Sequence, residues 1–160
     1  MFSIEFTEEP LMRVDLEKNE RVGLLALGHH EERFVVHIGP WSTRQYVVHW
    51  RSALIRALKG QPCALVTDMQ TPIQSSHLVW WPMWRVNSEI VFHNQLFFFA
   101  KHRIEGSHID VKRLYECIGN RFPHNDEGTP VSEWNVPVSE VKRFIDSAKN
   151  VWPPHHPRHR

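Results

Sequence analysis

Between Ser42 and Gly60 the chain is marked as an α-helix at both ends, and this limits the folds that the remaining residues can join. Ser42-Thr-Arg-Gln45 forms a capping box, in which the serine side chain accepts from the Gln45 amide and the glutamine reaches back. Behind it Tyr46, Val47, Trp50, Leu54, Ile55 and Leu58 recur at helical spacing on one stripe. Gly60 supplies the stop and Pro62 forbids continuation, so the spacing predicts a helix over 43–59. Residues 63–67 (CALVT) then read as a short apolar strand. After a loop over 68–76, two long runs, 77–86 and 89–100, flank Asn87-Ser88, a two-residue turn signal. A helix followed at once by a strand and a hairpin points to an α+β fold.

The rest of the chain fills in that outline. Residues 2–6 alternate apolar and polar as a half-buried strand does. The apolar runs 22–27 and 33–38 predict a hairpin with a five-residue polar loop, GHHEE, over 28–32. Pro82 predicts an edge strand or a bulge, because proline cannot donate to a ladder. Ser107 can cap a helix whose stripe is Val111, Leu114, Tyr115 and Ile118. Residues 122–130 read as a loop, and Pro137 suits the first turn of a last helix with Val138, Val141, Phe144, Ile145 and Ala148 on its apolar side. The expected fold is a twisted, mainly antiparallel sheet of five to seven strands packed with three α-helices. It forms a single domain over 1–152, followed by a disordered His/Pro-rich tail over 153–160.

Composition narrows the function classes. Hydrophobic residues make up 41% and charged residues 23% of the 160, as in ordinary globular proteins. Two cysteines, Cys63 and Cys117, are too few for a disulfide framework and read as buried free thiols of a reducing compartment. No secretory signal and no apolar run near the roughly 20 residues of a membrane span is seen, so a cytoplasmic protein is expected. Twelve histidines make chance pairings with a cysteine or carboxylate almost inevitable, so such pairings carry no weight. None of them falls into zinc-ligand spacing, and no nucleophile elbow or phosphate-binding glycine loop occurs. The expectation is a binding protein, not an enzyme, with no cofactor and no metal.

The order of elements resembles the immunity proteins of bacterial contact-dependent growth inhibition (CDI) systems, in their Whirly-like subgroup. The matching features are Gly39-Pro-Trp41, Tyr46 and Trp50 on the helix, the Ala64-Leu-Val66 strand and the aromatic hairpin over 78–99. Asp126-Glu127-Gly128 and Ser132-Glu133-Trp134 before the last helix complete them. The resemblance spans about residues 40–148 and implies a cytosolic antitoxin. Such a protein forms a heterodimer with the C-terminal toxin domain delivered by a neighbouring cell, often a nuclease.

Candidate toxin-binding residues follow from that implication. Nuclease toxins are basic, so carboxylates in loops would raise encounter rate and specificity. The candidates are Glu31, Glu32, Asp68, Asp126 and Glu127, all in predicted loops, although each also reads as an ordinary solvated acid. Trp81 and Trp84 are the aromatic candidates, from the cluster over 80–84. Trp80 and Trp81 point to opposite faces of a strand, so either one anchors an interface or both faces are covered. The other functional reading is a single-stranded nucleic-acid binder, with that cluster as stacking platform and the basic helix as its groove. Arg44, Arg51, Arg56 and Lys59 fall in residues 41–60, which contain no acid, whereas residues 1–40 have a local net charge of −4. Net charge over the whole chain is only +1, which argues against nucleic acid.

Overall fold

The computed structural model describes residues 1–8, 16–124 and 127–148. The expected tail over 153–160 lies outside the described residues. In chain order the elements are β1 (Phe2–Thr7), β2 (Glu20–Leu27), β3 (His30–His37), α1 (Thr43–Leu58), β4 (Cys63–Asp68), β5 (His77–Val86), β6 (Glu89–His93), β7 (Gln95–Phe98), α2 (Val111–Tyr115), β8 (Glu133–Pro137) and α3 (Val138–Ala148). The fold is α+β with antiparallel pairing and three α-helices, as expected. The strands form two sheets in place of one: β1-β2-β3, and a five-stranded sheet ordered β4-β5-β6-β8 with β7 paired to β5.

Several elements form for the reasons given by the sequence. Ser42 and Gln45 make both halves of the capping box, and Gly60 takes φ +69° just past the end of α1. The buried stripe of α1 is Tyr46, His49, Trp50, Ala53, Leu54 and Ala57. His49 and the alanines thus join the core, while Val47, Ile55 and Leu58 are only partly buried.

Other elements differ. The loop over 28–32 tightens to Gly28 and His29, with Gly28 at φ +67°, and the register pairs Leu27 with His30. Glu31 and Glu32 therefore lie on β3, not in a loop. Asp110, not Ser107, caps α2 by accepting from the Lys112 amide at 3.0 Å. Pro137 ends the strand β8, and α3 begins at the next residue. Pro82 sits inside a central strand. Pairing of β5 with β6 stops at Met83↔Phe92 and resumes with β7 at Trp80↔Gln95, so the missing proline donor falls where the ladder is already interrupted.

One continuous apolar core joins the two sheets. Phe2 of β1 stacks on Phe92 of β6 with ring centroids 5.7 Å apart, and Trp134 of β8 lies between His30 (4.7 Å) and Trp81 (5.3 Å). Gly23 permits close packing inside the first sheet, since a Cβ there would overlap the ring of its cross-strand partner Phe34. Polar clasps close the seam between the sheets. Asp68 accepts from the His37 amide at 3.0 Å and lies 2.9 Å from His37 Nδ1. The Tyr46 hydroxyl donates to the His37 carbonyl (2.8 Å) and accepts from the Met69 amide (2.9 Å).

Candidate protein-binding face

The second sheet has two very different borders. The outer edge of β4 is closed by side chains. His49 Nε2 accepts from the Val66 amide at 2.8 Å, Trp50 Nε1 donates to the Val66 carbonyl at 2.8 Å, and the Tyr115 hydroxyl donates to the Ala64 carbonyl at 3.3 Å. An accepting imidazole nitrogen carries no proton, and burial holds the His49 pKa down at about 3, the Ala64 carbonyl pulling weakly the other way. Burial likewise raises the Cys63 thiol to about 12, against the lowering charge of Arg56, so that thiol stays protonated. Cys117, expected to be buried, is half-buried.

At the opposite end the sheet opens into a cleft of about 420 Å³. Its floor comes from one face of the hairpin: Trp80, Pro82 and Trp84 of β5, with His93, Gln95 and Phe97 from the neighbouring strands. Its walls are Lys101 and His102, in a short 3-10 turn after β7, and residues 117–120 with Phe122, His124 and Val131. Phe122 is 64% exposed, Leu96 50% and Phe98 46%, which makes this rim the site of three of the larger exposed apolar side chains.

A partly buried polar network fixes the wall. Arg121 donates from Nε (2.8 Å) and Nη2 (2.6 Å) to the Glu133 carboxylate, and His93 Nε2 reaches the same carboxylate at 2.9 Å. A carboxylate only accepts, so His93 carries a proton on Nε2. The Arg121 hydrogen bonds, helped by His93, hold Glu133 below the usual carboxylate range. Trp84 packs over His93 at 4.6 Å and donates from Nε1 to the Gly119 carbonyl at 3.2 Å.

The sequence candidates separate on this frame. Trp84 lines the cleft. Glu127 is exposed in the loop between His124 and Val131, both on the wall. Glu32 meets Asn94, the residue just before β7, at 3.4 Å, and Glu31 is exposed beside it on β3. Trp81 is 1% exposed and cannot present its ring to a partner, which corrects its reading as an interface anchor. Asp68 is engaged in the seam between the sheets and is likewise no free loop acid. Asp126 lies outside the described residues. The nucleic-acid reading loses its geometry, because Trp80 is 4% exposed and Arg44 and Arg56 line a different depression, beside Trp41 and Tyr115. The sequence reading missed Leu96, Phe98, Lys101 and Phe122. The run Phe97-Phe98-Phe99 offered a signal, since a strand with apolar residues on both sides must bury both or expose one.

Comparison with known proteins places this architecture. The family described as CdiI N-terminal domain matches residues 36–144, from the end of β3 into α3. The chain belongs to the CdiI family. This is the CDI immunity family anticipated from the order of elements, though the match does not reach its Whirly-like subgroup, and it takes in all of the cleft-lining residues. A chain of the CdiA-CT/CdiI toxin and immunity complex from Enterobacter cloacae has the same fold, with a TM-score of 0.77 and 22% identity over 94% of this chain and 99% of that one. No curated protein sequence matches. Among the described residues no helix is long and apolar enough to cross a membrane.

Proposed function

We propose that this CdiI-family protein neutralises the C-terminal toxin domain of a CDI effector by binding it in a stoichiometric heterodimer through the aromatic cleft. Membership of the family over residues 36–144 carries this reading. The similar Enterobacter cloacae chain comes from a toxin–immunity complex, which agrees with it. The cleft supplies what an interface core needs: the part-exposed ring of Trp84 on its floor, exposed apolar groups at the rim and a wall that is already ordered. Glu31, Glu32 and Glu127 lie outside the apolar centre, where carboxylates steer a basic partner without a large desolvation cost. A nuclease toxin fits that arrangement, and the cytoplasm is the compartment in which a delivered nuclease would be met. Neutralisation requires coverage of the toxin's active site or of the substrate surface beside it, with no bond-making by this chain.

The test is to co-express the chain with the C-terminal domain of the exoprotein encoded beside it, scoring growth and co-purification. Rescue of growth with a 1:1 complex is expected. Continued toxicity with no complex, together with salt-sensitive capture of single-stranded nucleic acid by the isolated chain, would overturn the reading.

A further inference from the structure

The cleft has a feature that neither family membership nor aromatic content requires: it runs along a strand edge that no other strand pairs with among the described residues. The Phe99 amide donates to the Ser76 carbonyl at 3.1 Å, which sets the hydrogen-bonding phase of the β5–β7 ladder. In an antiparallel pair the bonded residues alternate, so Gln95 and Phe97 face β5 while the amides and carbonyls of Leu96 and Phe98 point away from it. On the far side, β8 accompanies β6 only as far as His93↔Glu133. Upstream of Glu133 the chain does not continue beside β7; it turns into its own loop, with the Val131 amide donating to the Pro123 carbonyl at 2.9 Å. The slot that opens has the β7 edge on one side and Phe122 on the other.

We propose that an extended segment of the toxin domain adds as a strand to this β7 edge, apolar at alternate positions and carrying a carboxylate that meets Lys101. The proposal rests on the toxin-neutralising reading above. Main-chain groups of Leu96 and Phe98 supply the hydrogen bonds of an added strand, and their half-exposed side chains supply its apolar contacts. The carboxylate follows from charge: among the described residues no acid lines the slot and Lys101 on its wall has no ion-pair partner. A second copy of this chain fits less well, because its own β7 edge would also lie inside a walled slot. A protruding extended segment enters such a slot without obstruction.

Amide hydrogen exchange with and without the cognate toxin domain tests this directly. In the free protein the Leu96 and Phe98 amides should exchange rapidly while Phe97 is protected, and in the complex both should slow at least roughly tenfold. Leu96→Pro removes an outward amide that makes no ladder bond in the free protein, and should weaken the complex about tenfold. Lys101→Glu should cost a similar factor and invert the local dependence on salt. A complex in which both amides stay exposed would overturn strand addition yet leave the antitoxin reading standing. Failure to bind or rescue at all would remove that reading and this proposal with it. Protection that grows with concentration in the toxin-free protein would assign the edge to a second copy instead and also overturn the proposal.

Discussion

Trp81 and Trp84 stand three positions apart on β5, and strand geometry therefore turns them to opposite sides of the second sheet. Trp81 fills the core against Trp134, so Trp81→Ala should lower the unfolding free energy by about 3–5 kcal/mol, measured by denaturant titration. Asp68→Ala should cost about 1–3 kcal/mol of stability, because the His37 amide loses its acceptor at the seam. Neither change should alter toxin affinity by more than about 0.5 kcal/mol when the variant is folded. A larger loss of affinity from folded protein would return these residues to the interface. From the sequence both tryptophans were equally eligible, since period-2 alternation separates faces but does not say which face meets the core. Asp68 was illegible for another reason: its partner His37 lies 31 residues away, on a strand of the other sheet.

Elements were legible where their signals are local. The capping box and the glycine stop fixed α1 to within a residue of the observed span. The cap of α2 was misplaced because Ser107 and Asp110 are both good caps and only the turn geometry chooses between them. The strand β8 escaped notice, since Trp134 and Val136 alone carry its alternation. The contact of α1 with β4 makes a pH prediction at this scale. His49 is neutral when folded with a pKa of about 3 but titrates near 6.5 when unfolded. Below 6.5 the unfolded chain takes up a proton that the folded one refuses, so stability is full above that pH and falls as pH drops towards 3. Between pH 7 and pH 5 the loss from this group should be about 2 kcal/mol, and His49→Gln should shrink it. An unchanged pH slope in the variant would mean that His49 is not the titrating group.

At the scale of the molecule, the two sheets share a core, so neither can shed its apolar face without exposing the other's. Tryptophan fluorescence, which reports mainly on the second sheet, and far-ultraviolet circular dichroism should therefore show one coincident thermal transition. Separated transitions would show that the sheets are independent units. The α+β class was readable because helix and strand periods alternate along the chain. The division into two sheets was not, because strand alternation specifies faces and leaves open which strands become neighbours. The network around Glu133 has a kinetic consequence. With Arg121 clamped to that carboxylate and Gly119 tied to Trp84, this wall of the cleft holds its shape before any partner arrives. Little conformational entropy then remains for it to lose at encounter, and capture can proceed as a collision between preformed surfaces, its speed governed by diffusion and charge with no wait for loop closure.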